Sequence, residues 1–185
     1  FVLLEEHRMN IKKHLPLITL LMGLTVLNGC STLNTTKSVG IDKNASWVLL
    51  PAINNTETPQ AGARLDSITA NLLRVNGVTN LTVYNANTNS EGLFELADRR
   101  TQETALTWAK TSGAKYAVAG SVDEWRYKVG LDGEPAAGIT LTVIEIGTGQ
   151  VVWSGSAART GWSREAVSAV AQKTVNSLLN SALPH

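Results

Sequence analysis

Residues 114–158, AKYAVAGSVDEWRYKVGLDGEPAAGITLTVIEIGTGQVVWSGSAA, decide the fold of this chain. Apolar and polar residues alternate from Tyr116 to Val122, which is the period of a strand with one buried face. Two further apolar segments, GITLTVIEI and QVVWSGSAA, are separated by the tripeptide Gly147-Thr148-Gly149. A short connection that contains glycine between two such segments indicates a β-hairpin. This stretch therefore predicts three consecutive strands in antiparallel pairs.

The residues before this stretch predict strands that alternate with helices. SWVLLPAI at 46–53 is typical of a short buried strand, and TNLTVYN at 79–85 predicts a second strand. Between them, apolar residues recur at helical spacing before Gly77, a typical residue just beyond a helix C-terminus. The predicted apolar stripe of this helix is Leu65, Ile68, Leu72 and Val75. A second helix is predicted to end near Lys110.

A last helix follows the hairpin, with Ser163 as its predicted N-cap. Its predicted apolar stripe runs from Val167 to Leu179. The order from residue 46 is therefore β-α-β-α-β-β-β-α. Helical crossovers favour parallel pairing of the early strands, and hairpins require antiparallel pairing of the later ones. We predict one α/β domain at 46–185, a mixed sheet with helices packed on it.

Residues 9–29 have the parts of a bacterial signal peptide. Lys12 and Lys13 form a basic start, and the almost wholly apolar run LPLITLLMGLTVL occupies residues 15–27. This run is shorter than the about 20 residues of a transmembrane helix. The segment ends in Leu27-Asn28-Gly29-Cys30, which resembles the lipobox of bacterial lipoproteins and implies that Cys30 is acylated. An apolar helix with an incidental cysteine is the alternative.

The remaining boundaries follow from this assignment. We expect residues 1–8 to precede the start of translation at Met9. The polar segment 30–45 is predicted to be an acylated cysteine followed by a tether. The full chain has 16 basic and 15 acidic residues. Removal of residues 1–29 takes away three basic and two acidic residues, which leaves a neutral mature chain with 13 of each. Ser31 resembles the residue that directs lipoproteins to the outer membrane.

Composition excludes several classes of function. A net charge of +1 gives no support for binding to nucleic acid. The single cysteine allows no CxxC metal site and no intrachain disulfide. The histidines are His7 and His14 in the removed segment and His185 at the end of the chain. We therefore predict no metal, no cofactor and no histidine-dependent catalysis.

The densest polar cluster occupies residues 123–134. Its four carboxylates are Asp123, Glu124, Asp132 and Glu134, and their spacing selects no pair for the acid and base of glycoside hydrolysis. Cross-strand ion pairs with Arg126 and Lys128 are the simpler interpretation of the strand residues. A carbohydrate-active enzyme that uses these acids stays open as a lesser alternative.

The five tryptophans differ in their surroundings. Trp47 and Trp153 lie in predicted strands and are expected in the core. Trp108 lies in a predicted helix, where core packing or a subunit contact is expected. Trp162 lies in a loop near Arg159 and Arg164, which suits the membrane–water interface. A loop tryptophan folded back onto the domain is the equal alternative.

The run EWRYKVGLDGEP at 124–135 is the most distinctive of the chain. Together with the segments 47–64, 105–122 and 161–173, it resembles the PelC family of small outer-membrane lipoproteins in the Pel exopolysaccharide secretion system. The resemblance implies a protein without enzymatic activity. It implies a ring of twelve subunits on the periplasmic face of the outer membrane. Such a ring collects the cationic amino-sugar polysaccharide and guides it to the β-barrel porin PelB, which supports biofilm formation.

The resemblance also implies roles for individual residues. Asp132 matches an acidic residue that lines the funnel of the ring, and Glu134 is added here because it lies nearby. Trp162 matches the aromatic membrane contact of the family, with Arg159 and Arg164 beside it. The same architecture resembles periplasmic activator lipoproteins that dock onto a cell-envelope synthase, which is the second hypothesis.

Overall fold

The computed structural model describes residues 31–38, 40–84, 94–128, 133–162 and 164–183. In the helix that begins at residue 94, side chains are described from Arg99 onward. The predicted signal peptide, Cys30, Asp132 and Ser163 lie outside these residues. Residues 31–185 form one compact unit.

Seven strands and three helices are present in the described part of the chain. They are β1 (Ser31–Thr35), β2 (Trp47–Leu49), β3 (Ile53–Asn54), α1 (Ala61–Val75), β4 (Leu81–Val83), α2 (Phe94–Thr111), β5 (Tyr116–Tyr127), β6 (Pro135–Glu145), β7 (Gln150–Thr160) and α3 (Val167–Ala182). All strands belong to one sheet with the order β1-β7-β6-β5-β2-β4, and β3 pairs with β5. This is the predicted α/β domain with a mixed sheet.

The directions of the strands follow from their connections. β2 is parallel to both β4 and β5, because helices connect these strands. β5, β6 and β7 are antiparallel neighbours, as the hairpin signal predicts. In the β6–β7 turn, Gly149 has a φ of 72° and its N–H donates to the Glu145 carbonyl at 2.8 Å. A left-handed backbone of this kind favours glycine.

Helices cover the two faces of the sheet unequally. The main core lies under α1 and α3 and contains Trp47 and Trp153, both with 0% exposure. These positions confirm the prediction for the two tryptophans. A smaller core lies under α2 on the opposite face, where Ala105 and Ala109 pack against Val48 and Leu50. Alternation along the strands makes both faces possible, because adjacent residues point to opposite sides.

The predicted strand 46–53 is divided into two short strands. Trp47–Leu49 pairs with residues 116–118 of β5, whereas Ile53 and Asn54 pair with Ser121 and Val122. Pro51 lies between them and has no N–H for the ladder, which is consistent with an interruption at this point.

The predicted apolar stripe of α1 is partly wrong. Val75 is 71% exposed, whereas Leu73 is 1% exposed and lies in the main core. The buried face follows the four-residue spacing Ala61, Leu65, Thr69 and Leu73. Spacings of three and four are both compatible with a helix, so only the neighbouring elements select the face that is buried.

The polar segment predicted as a tether contributes a strand. Ser31–Thr35 pairs antiparallel with β7, from Ser31 opposite Arg159 to Thr35 opposite Gly155. All five residues are exposed, so burial does not drive this pairing. The strand instead takes up the free backbone groups at the edge of β7. Further along the segment, the Ser38 hydroxyl donates to the Ala182 carbonyl at 2.6 Å.

The start of α3 differs from the prediction. Its N-cap is Ala166, whose backbone is extended and whose side chain makes no capping hydrogen bond. The helix begins at Val167, so the loop after β7 is longer than a Ser163 cap would allow. Before this start, the Glu165 N–H donates to the Trp162 carbonyl at 2.9 Å.

Candidate functional site

Two loops of interest lie at the same end of the sheet. β5 ends at Tyr127 opposite Pro135 of β6, and Ala136 of β6 lies opposite Thr160 at the end of β7. The first strand begins at Ser31, opposite Arg159. We call this end, marked by Ser31, Tyr127, Pro135 and Thr160, the loop end. The chain leaves the sheet at this end after Tyr127 and after Thr160, and we call segments 128–134 and 161–166 the acidic loop and the aromatic loop.

The acidic loop contains the predicted funnel residues Asp132 and Glu134. Asp132 lies outside the described residues. Glu134 is exposed, and its carbonyl accepts a hydrogen bond of 2.7 Å from the Lys128 N–H. The adjoining Pro135 carbonyl accepts a 2.8 Å hydrogen bond from the Gly161 N–H. The structure therefore places Glu134 and Pro135 beside Gly161, at the start of the aromatic loop.

The aromatic loop exposes its tryptophan. The Trp162 side chain is 60% exposed, so most of it does not pack on the described part of the domain. The Trp162 N–H donates to Glu165 Oε2 at 3.3 Å, and the Glu165 N–H donates to the Trp162 carbonyl at 2.9 Å. Arg164 is exposed and has a left-handed φ of 79°, whereas Arg159 is half-buried.

Glu165 has a second side-chain partner, which is charged. Lys173 Nζ lies 2.6 Å from Glu165 Oε1. This hydrogen bond lowers the pKa of Glu165 below its usual value, and the N–H of Trp162 acts in the same direction. A Cβ on Gly161 would lie 2.5 Å from both Glu165 Oε2 and Val170 Cγ2, so the turn requires glycine here.

The sequence analysis did not single out Tyr127, which lies beside the aromatic loop. Its side chain is 54% exposed, and its hydroxyl donates to the Glu165 carbonyl at 3.3 Å. The signal was available: Tyr127 follows Trp125 by two residues in a strand, so both lie on one face. Trp125 is 4% exposed and Tyr127 lies at the strand end.

The acidic residues of β5 make local contacts. Asp123 accepts hydrogen bonds from Asn55 at 3.0 Å, Ser121 at 3.1 Å and Thr140 at 3.0 Å. Glu124 forms an ion pair of 3.0 Å with Arg126 on the same strand. The predicted cross-strand ion pairs are therefore not what these two acids form. Asp123 accepts hydrogen bonds from neutral side chains, and Glu124 pairs with a residue of its own strand.

Trp108 lies on α2 and is 37% exposed. Its ring centroid is 5.2 Å from that of Tyr84, with the rings tilted by 60°. It is therefore partly covered by Tyr84, the residue that follows β4, and core packing explains only part of this side chain. A subunit contact at its exposed edge stays a prediction.

Among the described residues, no cluster of three or more His, Cys, Asp or Glu side chains could hold a metal ion. None of the described helices has the length and apolar character needed to cross a bilayer.

The chain and its fold match solved structures. A PelC dodecamer from Paraburkholderia phytofirmans is 34% identical, covers 84% of this chain and 99% of its own, and has a TM-score of 0.71. The chain belongs to the PelC family. A point variant of the same PelC protein, also a dodecamer, is 33% identical with a TM-score of 0.72, over 84% of this chain and 100% of its own.

The chain also matches one family model and a further solved structure. The family model for the peptidoglycan-synthase activator LpoB matches residues 54–158. Lipoprotein GNA1162 from Neisseria meningitidis is 20% identical over 74% of this chain and 96% of its own, with a TM-score of 0.53, which shows a shared fold. No curated protein matches the chain. The PelC and LpoB matches indicate no catalytic family.

Proposed function

We propose that this protein is a lipid-anchored subunit of a twelve-membered ring on the periplasmic face of the outer membrane. The ring guides cationic Pel polysaccharide to a PelB-like β-barrel porin and so supports biofilm formation. One observation carries the proposal: 34% identity over 84% of the chain to a PelC protein whose structure is a dodecamer. The alternation of strands and helices supports the same subunit fold.

The proposed anchor is a lipid on Cys30. Several acyl chains hold a protein firmly in a bilayer, whereas one chain binds marginally. Ser31, the next residue, starts β1 opposite Arg159 at the loop end. A lipid on Cys30 would thus be attached one residue from the sheet, since adjacent Cα atoms are about 3.8 Å apart. This arrangement supports a loop end that faces the membrane.

The proposed second membrane contact is the aromatic loop. Trp162 is 60% exposed at the loop end, near Arg159 and Arg164. Tryptophan and tyrosine favour the interface between headgroups and acyl chains, and arginine favours the phosphates beside it. We add Tyr127 to this contact because it is exposed next to the same loop.

The proposed polysaccharide contact is the acidic loop with Asp132 and Glu134. Repetition of one loop in twelve subunits produces a ring of carboxylates although the mature chain is neutral in sum. Such a ring concentrates the electrostatic field and attracts a cationic polymer. Diffuse charge also suits passage, because a guide must release its cargo. The attraction should weaken as salt is added.

The first prediction concerns the assembly. Native mass spectrometry of residues 31–185, beside the acylated protein in detergent, is expected to give a species with twelve times the mass of one copy. A closed ring needs two different contact faces on each subunit, so the count should be discrete. A monomer in both samples would contradict the ring.

A second prediction concerns Asp132. The variant Asp132→Lys is expected to fold normally and to lower secretion of Pel polysaccharide by about tenfold or more, because it replaces attraction by repulsion in every subunit. The measurement is secreted Pel polysaccharide per cell at equal levels of protein. Glu103→Lys is the matched control, since Glu103 is exposed on α2. Wild-type secretion by Asp132→Lys would remove Asp132 from the funnel.

The LpoB family match favours one alternative, a periplasmic activator that docks onto a cell-envelope synthase. An activator that crosses the periplasm needs a long flexible linker between its lipid and its domain. Here β1 begins at Ser31, directly after Cys30, which leaves no linker before the sheet. This observation favours a protein that stays at the membrane. A monomer in the mass measurement would instead support the activator.

A further inference from the structure

Glu165 connects three elements at the loop end. Its carboxylate accepts hydrogen bonds from the Trp162 N–H at 3.3 Å and from Lys173 Nζ at 2.6 Å. Its carbonyl accepts a hydrogen bond of 3.3 Å from the Tyr127 hydroxyl. One residue therefore joins the aromatic loop, the second turn of α3 and the end of β5.

The backbone around Trp162 is held from both sides. The Gly161 N–H donates to the Pro135 carbonyl at 2.8 Å, which fixes the loop to β6. On the other side, Glu165 contacts the N–H and the carbonyl of Trp162. With its backbone held in this way, the indole stays 60% exposed.

Glu165 is itself well held. Its side chain is 17% exposed, so it is sheltered by the loop, whereas that of Lys173 is 54% exposed. A carboxylate that accepts one charged and one backbone hydrogen bond is kept ionised and in a single position. This property distinguishes Glu165 from an ordinary surface acid, whose ion pairs contribute little.

We propose that Glu165, braced by Lys173, is a positioning residue that holds Trp162 and Tyr127 exposed for contact with a phospholipid surface. The proposal rests on the membrane contact in the proposed function and deepens it. A preformed loop loses less conformational entropy on binding than a mobile one, so the brace raises affinity without touching lipid. Arg164 within the loop and Arg159 at the end of β7 make anionic phospholipid the expected partner.

The first experiment measures the brace without any membrane. Amide hydrogen exchange is followed at residues 161–166 in the protein comprising residues 31–185, a compact unit with its own core. In Glu165→Gln and Lys173→Met, the Trp162 amide is expected to exchange about tenfold faster. Glu124→Gln is the matched control, because it breaks the Glu124–Arg126 ion pair, whose side chains share no hydrogen bond with the aromatic loop among the described residues. Unchanged exchange in Glu165→Gln would overturn the proposal.

The second experiment measures binding to vesicles of phosphatidylethanolamine and phosphatidylglycerol, with the same unacylated protein. Trp162→Ser and Tyr127→Ser are expected to weaken binding directly. Glu165→Gln is expected to weaken binding by about tenfold. The double variant Glu165→Gln/Trp162→Ser is expected to weaken binding by little more than Trp162→Ser alone, because the two residues act as a unit. Lys173→Met should match Glu165→Gln, and Glu124→Gln should bind as wild type.

The outcomes separate the two claims. If Trp162→Ser weakens binding and Glu165→Gln does not, the positioning role is overturned and the membrane contact stands. If neither Trp162→Ser nor Tyr127→Ser changes binding to vesicles, the proposed membrane contact is contradicted. The positioning proposal is then overturned as well, even if hydrogen exchange shows that Glu165 holds the loop.

Discussion

Replacement of Trp153 by alanine is expected to lower the free energy of unfolding by about 3–5 kcal/mol. Trp153 is 0% exposed on β7 under α3. Its ring occupies the space above Gly155, where a Cβ would lie 2.7 Å from Trp153 Cη2 and 2.9 Å from Leu178 Cδ2. Loss of the indole therefore leaves a cavity between the sheet and the helix, which rigid neighbours fill poorly.

Chemical denaturation measures this effect, at one fixed concentration of subunits because assembly adds to apparent stability. Trp162→Ala is the matched control: its indole is 60% exposed, so a change within about 0.5 kcal/mol is expected. The free energy of unfolding of Trp153→Phe should lie between those of the two alanine variants. It keeps much of the ring and removes an indole N–H that is buried without a partner among the described residues. Equal stability of the two alanine variants would contradict a core role for Trp153.

Replacement of Cys30 by alanine is expected to abolish lipid attachment and release the protein from the outer membrane. Cys30 is the sole cysteine of the chain, so no other thiol can take the acyl group. Each buried methylene contributes about 0.8 kcal/mol to membrane binding, and the aromatic loop alone offers far less apolar surface. The effect should therefore be nearly complete rather than partial.

The measurement combines incorporation of labelled palmitate, the intact mass of the protein and its distribution between membrane and soluble fractions. Label and added mass decide the result, since an uncleaved signal peptide can retain a protein in the inner membrane. Thr32→Ala is the control, because Thr32 is exposed in β1 and leaves the cysteine in place. Label on the Cys30→Ala protein would show that the lipid is attached elsewhere.

Several features of the site needed the tertiary structure. Trp162 and its setting were evident in the sequence, but the sequence left equal weight on exposure and on folding back. Glu165 gives no sequence signal of its own, since its partners Trp162, Lys173 and Tyr127 come from three elements. Likewise, the nearness of Pro135 to Gly161 follows from the register of β5, β6 and β7.

The sequence by itself determined the α/β class, the mixed sheet and the β6–β7 turn. These features depend on local alternation, on glycine at turns and on the rules that connect neighbouring elements. Tertiary structure alone decided which face of α1 is buried and that Ser31–Thr35 joins the sheet. Both outcomes depend on what lies beside a segment in space. A helix with several apolar positions turns toward its neighbours, and a polar strand forms where a free sheet edge supplies its hydrogen bonds.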